Sequence, residues 1–359
     1  MNSNMTECDF LPQTITAVAN RLPSISVIVP VRNEAAFIER TLGQLLAQDY
    51  DASRWEILLV DGESTDGTWA RASKLAERHP ALRLFRNPRR LSSAARNIGI
   101  RNARGEVVVI VDGHCELSDR HYLHKLAEIF VRSGADSVGR PQPLDVSGAN
   151  SLQRAIAAAR ASWLGHHPDS HVYAAGEGLV PAKSVAVAYR RTVFDRLGGF
   201  DESFDACEDV EFNHRVDRAG LRCYLSPAVT VRYAPRKTLR GLFRQMFRYG
   251  QGRVRLARKH PETFSLLGWM PLFFCLGIVL GLPLSIVSSG MAMIYGAALC
   301  SYAGLVALAS AQLAFPAGRI GLWLWLPAVF VTIHVASGAG MLLELLAGVT
   351  RRPSPASEV

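Results

Sequence analysis

The sequence predicts an α/β domain built on a doubly wound parallel sheet, followed by a membrane domain. From Ser24 to about Arg258, short apolar runs alternate with charged helical stretches, which is the pattern of strand, helix, strand units. From Leu266 to Gly348 the chain is almost uncharged. Several of the apolar runs end in acidic residues, at the edge of the sheet where α/β proteins bind ligands.

Four strands are predicted in the first part of the chain. Each is a short apolar run that ends at a proline, an acid or a turn. They cover Ser24–Pro30, Glu56–Asp61, Leu82–Phe85 and Glu106–Asp112. After the first strand, a helix is indicated by apolar residues at helical spacing, namely Phe37, Ile38, Leu42, Leu45 and Leu46.

The fourth strand is the most informative stretch. It is an unbroken apolar run typical of a strand buried on both faces, and it breaks off at Asp112, Gly113 and His114. A carboxylate and an imidazole at a strand end are compatible with a metal or phosphate site, and also with a plain polar turn.

Two further acids lie at the end of the second strand: Asp61 is its last residue, and Asp66 lies in the turn Gly62–Thr68 that follows. A carboxylate at this edge can accept hydrogen bonds from a base or ribose, while Asp112 could hold a divalent cation against a diphosphate. Aspartate at a strand end is also a common turn or cap residue, so each acid alone is a weak signal.

Three charged side chains on predicted helices are additional candidates. Arg96, in the segment Ser92–Ile100, could bind a phosphate or form an ordinary surface ion pair. Glu208 and Asp209 begin a helix after a Gly-Gly turn. Acids in a first turn often only complement the helix dipole, but one carboxylate placed here could take a proton from a hydroxyl nucleophile.

A basic amphipathic helix is predicted just before the uncharged part. Its apolar face comprises Leu239, Leu242, Phe243, Met246, Phe247 and Val254, and Gln245, Arg248 and Tyr249 lie off that face. The pattern fits an interfacial helix whose polar side faces the soluble domain, or an ordinary basic surface helix.

Three apolar stretches are long enough to cross a bilayer: Leu266–Ser288, Met291–Phe315 and Ile320–Ala347. Tight turns separate them, the second being Pro316–Arg319. Glu344, Gly338 and Gly340 leave open that the third stretch is interfacial or re-entrant. Buried core helices are the alternative for all three.

Basic residues precede the first span without an intervening acid: Arg232, Arg236, Lys237, Arg240, Arg244, Arg248, Arg253, Arg255, Arg258 and Lys259. Such clusters are typical of cytoplasmic flanks, so the soluble part should face the cytoplasm. Three crossings would then leave the C-terminus outside, whereas Arg351 and Arg352 after the last span favour a cytoplasmic C-terminus. The same cluster accounts for the net charge of +9 and favours membrane lipids, not nucleic acid, as the partner.

Several classes of protein are disfavoured. No glycine-rich dinucleotide motif follows the first strand, and no P-loop motif occurs in the sequence. The six cysteines show no paired spacing of the kind that binds zinc. The first twenty residues lack a basic start and an apolar core, so a cleaved signal peptide is not expected.

Taken together and in order, the motifs resemble those of the family 2 inverting glycosyltransferases, closely the bacterial branch that includes the succinoglycan-biosynthesis glucosyltransferase. The resemblance covers about Ser24 to Arg258. The matching segments are V-P-V-R-N-E at Val29–Glu34, V-D-G-x-S-T-D-G-T at Val60–Thr68, R-N-x-G-I at Arg96–Ile100, V-D-x-H at Val111–His114, A-Y-R-R at Ala188–Arg191, G-G-F-D-E-S at Gly198–Ser203 with E-D at Glu208–Asp209, and Q-x-F-R-Y-G at Gln245–Gly250.

The resemblance implies a GT-A fold, a Rossmann-like mixed sheet, and a role for each candidate. Donor-binding residues would be Pro30, Glu34, Asp61, Asp66, Arg96 and Asp112. Asp112 and His114 would hold Mg²⁺ or Mn²⁺. With histidine in place of the usual second acid, either Mn²⁺ is favoured over Mg²⁺ or Asp112 alone contacts the metal. Asp209 would be the catalytic base with Glu208 beside it, and Gln245, Arg248 and Tyr249 would contact the acceptor and the donor diphosphate.

The expected enzyme transfers a hexose, glucose by the resemblance, from a UDP-sugar to a polyprenyl-diphosphate-linked saccharide in exopolysaccharide biosynthesis. It would be a multi-pass protein of the bacterial inner membrane that works with other polysaccharide-assembly proteins. Alternatives are a processive polysaccharide synthase and a non-catalytic nucleotide-sugar-binding scaffold of an export machine. The expected parts are a lead-in (1–23), the GT-A domain (24–237), the interfacial helix (238–260), the membrane domain (266–348) and a tail (349–359).

Overall fold

The computed structural model describes residues 22–167, 170–315 and 320–350. The strands in these ranges are β1 (Ile25–Val31), β2 (Trp55–Asp61), β3 (Leu82–Arg86), β4 (Val107–Ile110), β5 (Cys115–Glu116), β6 (Ser137–Gly139), β7 (Gly178–Val180), β8 (Ala186–Arg190), β9 (Cys223–Leu225) and β10 (Arg232–Tyr233). The helices are α1 (Ile38–Leu46), α2 (Thr68–Ala76), α3 (Ser92–Asn102), α4 (Tyr122–Ser133), α5 (Ser151–Arg160), α6 (Arg191–Leu197), α7 (Glu208–Arg218), α8 (Leu239–Lys259), α9 (Leu266–Val287), α10 (Ser289–Ala314), α11 (Ile320–Trp323) and α12 (Leu326–Thr350).

Some sequence predictions fall outside the described ranges. They concern the lead-in up to residue 21, the connection at residues 316–319, and the tail from residue 351, which includes Arg351 and Arg352. The proposed division of the chain into parts stays a prediction.

In the described part of the chain, the main sheet has eight strands in the order β3-β2-β1-β4-β8-β6-β9-β7. Strands β1 to β4 pair in parallel, as the strand and helix spacing predicts. Beyond them the parallel expectation is wrong, because β8 runs antiparallel to both β4 and β6. The sheet is therefore mixed, as the resemblance implies. Spacing alone missed this reversal because side-chain periodicity is the same in both strand directions.

Helices cover both faces of the sheet. In β1, Val27 and Val29 pack with Leu42 of α1 and its neighbours on one face, while Ile28 packs on the other face with residues of α3, α6 and α7. Consecutive side chains of a strand point to opposite faces, so an unbroken apolar strand requires an apolar layer on each side. The polar site must then lie at the strand ends.

Within the described residues, three helical segments have the length and composition needed to cross a membrane: Leu266–Val287, Ser289–Ala314 and Gly321–Ala347. They correspond to the three predicted stretches, and Ser288 alone separates the first two. Helix α12 continues without a break through Gly338, Gly340 and Glu344, so this segment does not re-enter as a loop. Glu344 is buried, and its carboxylate lies 2.9 Å from the Arg255 guanidinium of α8.

The apolar face of α8 packs against α12. Leu242 and Met246 share a buried cluster with Phe330 of α12, whereas Phe243 on the same face remains exposed. The two backbones approach closely at glycines: a Cβ at Gly250 would overlap the Ser337 carbonyl oxygen, and one at Gly340 would overlap that of Phe247. Helix α8 is thus a packed partner of a membrane-length helix. The sequence predicted its position and amphipathic pattern but not this partner.

Candidate active site

Pro30 and Asp61 lie near the carboxyl ends of the paired strands β1 and β2. The pairing of β1 with β4 stops at Ile28, so the missing N–H of Pro30 interrupts no hydrogen bond on that side. The buried Asp61 accepts hydrogen bonds from the Ser64 backbone N–H at 3.1 Å and from Arg86 at 2.9 Å through Oδ2. Its Oδ1 has no partner within the described part of the chain. A buried carboxylate oxygen is costly to leave unsatisfied, so Oδ1 is a ready acceptor for a ligand donor.

Asp66 holds together the loops that follow β1 and β2. One carboxylate oxygen accepts the Ala35 N–H at 2.9 Å and the other accepts the Thr68 N–H at 3.0 Å. Burial alone would raise the pKa of Asp66, but the hydrogen bonds donated by Thr68 and Ala35 lower it below its ordinary value. Asp66 therefore shapes the loops around the pocket with both of its oxygens already engaged.

Glu34 and His114 face each other across the ends of β1 and β4. The Nδ1 of His114 lies 3.0 Å from Glu34 Oε1. The turn between Asp112 and His114 is held close to β1, because a Cβ at Gly113 would lie only 2.5 Å from a Val31 methyl group. The buried Thr41 hydroxyl hydrogen-bonds the Gly113 carbonyl at 3.0 Å and fixes the same turn from below.

The donor set of this turn fits a divalent cation. The half-buried Asp112 carboxylate makes no hydrogen bond or ion pair among the described residues. With Nδ1 on Glu34, His114 keeps Nε2 for a metal, and an imidazole oriented by a carboxylate is the usual arrangement around metal-binding histidines. Burial lowers the pKa of His114, but the hydrogen bond with Glu34 and the nearby Asp112 carboxylate together raise it.

Arg96 and Glu208 form a buried pair, with Arg96 Nη2 3.4 Å from Glu208 Oε1. Burial would lower the pKa of Arg96. Three carboxylates raise it above its ordinary value instead, those of Glu208, Asp112 and Asp209. Burial raises the pKa of Glu208, and Arg96 opposes this rise. The Arg96 guanidinium therefore interacts electrostatically with Asp112 after β4 and with Glu208 and Asp209 of α7. Motif spacing in the sequence could not show this connection.

Asp209 follows Glu208 in the first turn of α7 but is exposed. The turn is entered through Cys207, a buried residue with φ of 63°, in the left-handed region that costs energy for any residue with a side chain. This backbone turns Glu208 inward and leaves Asp209 open to solvent. Of the two acids, Asp209 is the one that a substrate can reach.

Helix α8 contributes the third group of candidate residues. A Cβ at Gly252 would lie 2.7 Å from the Ala206 carbonyl oxygen and from Cys207 Sγ, so α8 contacts the loop that precedes α7. Arg248 donates a hydrogen bond to the Asp205 carbonyl in that loop. The Tyr249 side chain is close enough to Asp209 and Glu208 to interact with their charges.

Gln245 hydrogen-bonds a residue outside this group. Its side-chain oxygen accepts a hydrogen bond from Arg236 at 3.3 Å. Two residues that the motifs did not indicate also line the region. The Arg160 guanidinium lies 5.9 Å from the Tyr249 ring centre, and the Tyr233 ring contacts His114 edge-on at 5.6 Å. Neither belongs to a recognisable motif, so only the fold reveals them.

Comparisons with known proteins identify the family and the fold of the chain. The family model of glycosyl transferase family 2 matches residues 26–197. The succinoglycan biosynthesis protein ExoA of Rhizobium meliloti (strain 1021) is 31% identical over 326 residues, which are 89% of this chain and 94% of that protein. A dolichyl N-acetyl-alpha-D-glucosaminyl phosphate 3-beta-D-2,3-diacetamido-2,3-dideoxy-beta-D-glucuronosyltransferase of Methanococcus voltae is 27% identical over 71% of this chain and 81% of its own length.

Among solved structures, the mannosyltransferase PcManGT from Pyrobaculum calidifontis, in complex with GDP-Man and Mn²⁺, is similar with a TM-score of 0.56 and 25% identity. The match covers 92% of this chain and 89% of that one. The family resemblance and the GT-A fold predicted from the motifs are confirmed. The chain belongs to glycosyl transferase family 2 and is a glycosyltransferase of the GT-A fold.

Proposed function

We propose that this glycosyltransferase is anchored in the bacterial inner membrane and transfers a hexose, glucose, from a UDP-sugar to a polyprenyl-diphosphate-linked saccharide with inversion at the anomeric carbon. One observation carries the proposal. The exposed Asp209 is near enough for its charge to act both on Arg96 of the buried Arg96–Glu208 pair and on Tyr249 of α8, a helix packed on the membrane-length helix α12. A base in this place can serve a water-soluble donor on one side and a lipid-borne acceptor on the other.

The donor would bind across the ends of β1, β2 and β4. Asp61 Oδ1, buried and without a partner among the described residues, would accept a hydrogen bond from the base or ribose beside Pro30. Asp66 would hold the surrounding loops, and Arg96 would add positive charge behind Asp112. Glu34 would act through His114, whose imidazole it orients.

A divalent cation would be held by Asp112 and by Nε2 of His114. When bound, it would supply positive charge against the donor diphosphate. An imidazole in place of a second carboxylate favours Mn²⁺ over Mg²⁺. The similar mannosyltransferase was solved with Mn²⁺.

The transfer itself is a single displacement. The Asp209 carboxylate takes the proton of the acceptor hydroxyl, and that oxygen bonds to the anomeric carbon. The bond from the carbon to the diphosphate oxygen breaks on the opposite face and UDP leaves. The Arg248 guanidinium, together with Gln245 and Tyr249, would stabilise the charge that develops on the leaving group and position the acceptor. An α-linked donor then yields a β-glycoside.

The acceptor assignment follows from the membrane segments and from the relatives. The basic residues of α8 fit anionic head groups on the cytoplasmic side, which is where we place the catalytic domain. One relative is named for succinoglycan biosynthesis and another for a dolichyl-phosphate-linked acceptor. We therefore assign the enzyme to the assembly of an exopolysaccharide on a lipid carrier, together with other assembly proteins.

The test uses membranes that contain the full chain. Labelled UDP-glucose, UDP-galactose, UDP-N-acetylglucosamine and GDP-mannose are supplied separately, with and without Mn²⁺, and the lipid fraction is counted. We expect UDP-glucose to label the lipid fraction with Mn²⁺ present. Asp209→Asn should lower the rate by about 10²–10⁴-fold, the range for loss of a general base. The control is Asp195→Asn, which alters an exposed acid on α6.

Each outcome decides a different part of the proposal. If no donor is consumed beyond the level of Asp209→Asn, the catalytic proposal is wrong. If GDP-mannose alone labels lipid, the donor assignment is wrong while the reaction stands. If transfer continues after divalent cations are chelated, the proposed metal requirement is wrong. Products of many sugars from one carrier would indicate a processive synthase.

A further inference from the structure

Two histidines and a glutamate meet on the side of α7 that the proposed reaction does not use. His214 lies in α7, His260 follows the last residue of α8, and Glu262 lies in the short turn Pro261–Thr263 that leads to α9. One nitrogen from each imidazole and one oxygen of Glu262 all lie within 4.8 Å of one another. Both imidazoles are buried, and Glu262 is half exposed.

The donor atoms have the spacing of a small metal site. The Nε2 of His214 lies 2.9 Å from Glu262 Oε1, and the Nδ1 of His260 lies 3.9 Å from the same oxygen. In a tetrahedral zinc site with bonds of about 2.0–2.1 Å, ligand atoms are roughly 3.3 Å apart. The two separations from Glu262 Oε1 lie on either side of that value, and the two imidazole nitrogens lie within 4.8 Å of each other.

The surroundings of His260 also match a metal ligand. Its other nitrogen, Nε2, lies 3.0 Å from Glu211 Oε1, and Glu211 is fully buried. A buried carboxylate on the far nitrogen is what orients metal-binding imidazoles and fixes which nitrogen faces the ion. Glu211 is itself held by Arg215 at 3.0 Å and by Lys259 at 2.8 Å.

One feature of the site competes with a cation. The Arg218 guanidinium lies 3.0 Å from Glu262 Oε1, and without a metal these groups form an ion-pair network. Arg218 is mostly exposed. It can therefore pair with the second carboxylate oxygen of Glu262 when a metal binds the first. An exposed arginine pair contributes little energy, about 0.2–1 kcal/mol, and therefore does not exclude zinc.

We propose that His214, His260 and Glu262 bind one Zn²⁺ ion, with water completing the coordination. Two imidazoles and a carboxylate are ligands that zinc accepts readily. The ion joins α7, whose first turn carries Glu208 and Asp209, to the junction between α8 and α9. It is a structural clamp between the catalytic domain and the start of the membrane segments, separate from the Asp112 and His114 turn.

The test measures zinc directly and does not depend on transferase activity. The full chain, purified in detergent through a tag without histidines, is stripped with chelator, incubated with ZnCl₂, desalted and analysed for zinc by mass spectrometry. The measurement is made in an Asp112→Asn, His114→Gln background, which removes the proposed donor-site ligands. We expect one zinc per chain and a melting temperature that rises with ZnCl₂.

His214→Gln should lose the zinc and the thermal response together. The control is His124→Gln, an exposed histidine that lies 3.3 Å from Glu128 in an ordinary helical pair, and it should keep both. If His214→Gln does not fold, Glu262→Gln changes the half-exposed ligand and should weaken zinc binding at least about tenfold. Absence of zinc from the parent protein, or zinc retained by both ligand variants, would overturn the site and leave only the ion-pair network.

Discussion

Arg96 and Glu208 form an ion pair that is almost closed to solvent, with 10% and 9% of their side chains exposed. The pair ties α3 to the first turn of α7, and the Asp112 and Asp209 carboxylates are near enough to Arg96 to contribute to its raised pKa. Removing one member leaves the other charge buried without its partner.

Breaking this pair should destabilise the protein strongly, and removing both members should restore part of the loss. We expect Arg96→Met to cost about 3–5 kcal/mol, because the Glu208 carboxylate stays buried. In the double variant with Glu208→Leu, no unpaired carboxylate remains at this position. Thermal melting of the detergent-solubilised chain checks the prediction. Strictly additive losses would show that the two side chains do not depend on each other.

Glu34 should control how much metal the enzyme needs. Glu34→Gln weakens the group that orients His114, so the Mn²⁺ concentration for half-maximal transfer should rise about 10–100-fold. The rate at saturating Mn²⁺ should stay near that of the wild type. Glu39→Gln is the matched control, since Glu39 lies on α1 and pairs with Arg71 on the surface. An unchanged Mn²⁺ requirement in Glu34→Gln would contradict the proposed coordination.

Alanine at two glycines should separate α8 from α12. A Cβ at Gly250 or Gly340 meets a backbone carbonyl of the facing helix, so each variant should cost about 1–3 kcal/mol and lower transfer by displacing Tyr249. Gly277→Ala in α9 is the control, because a Cβ added there would meet no atom within 4 Å among the described residues outside the adjoining backbone of its own helix. Alanine is the better helix former, so the control should be neutral or stabilising. Equal melting temperatures for all three variants would rule out the close packing.

Asp201 should give stability that disappears in acid. Burial alone would raise its pKa, but Lys259, 2.5 Å away, and Ser203 lower the pKa from 3.8 to about 2. The folded state therefore favours the ionised form. The contribution is complete above about pH 4 and is lost as the pH falls through about 2.

The matching measurement compares melting temperatures of Asp201→Asn and wild type. The variant should melt lower at pH 6, by an amount equivalent to roughly 0.2–1 kcal/mol because Lys259 is partly exposed. The difference should shrink towards pH 2. When Asp201→Asn is made in a Lys259→Met parent, the difference in melting temperature should lose most of its pH dependence. A difference that grows on acidification would reverse the assignment.

Local features of the site could be predicted from the sequence, while its long-range contacts could not. The positions of Asp61 and Asp112 near strand ends were predictable, because an apolar run followed by an acid is a local pattern in the sequence. The pairing of Arg96 with Glu208 depends on where α7 packs, which no local pattern records. The reversal of β8 was missed because side-chain periodicity is the same in both strand directions.

Other contacts were hidden by distance along the chain. Glu344 suggested an interfacial segment, but its charge is met by Arg255 from a helix that precedes the membrane segments. His214, His260 and Glu262 have no metal-binding spacing in the sequence, since α8 separates the first from the other two. Only the packing of α7 against the end of α8 brings them together.

The glycine contacts of α8 have a mechanical consequence. Gly250 touches α12 on one side, and Gly252 touches the loop before Glu208 on the other, with no flexible tether between the two contacts. We therefore expect a tilt of α12 to move the turn that carries the proposed base as well. Bilayer thickness affects the tilt of a membrane-spanning helix, so bilayers of different thickness would set different distances between the proposed base and an acceptor arriving from the membrane. We therefore expect the rate of transfer to depend on lipid chain length.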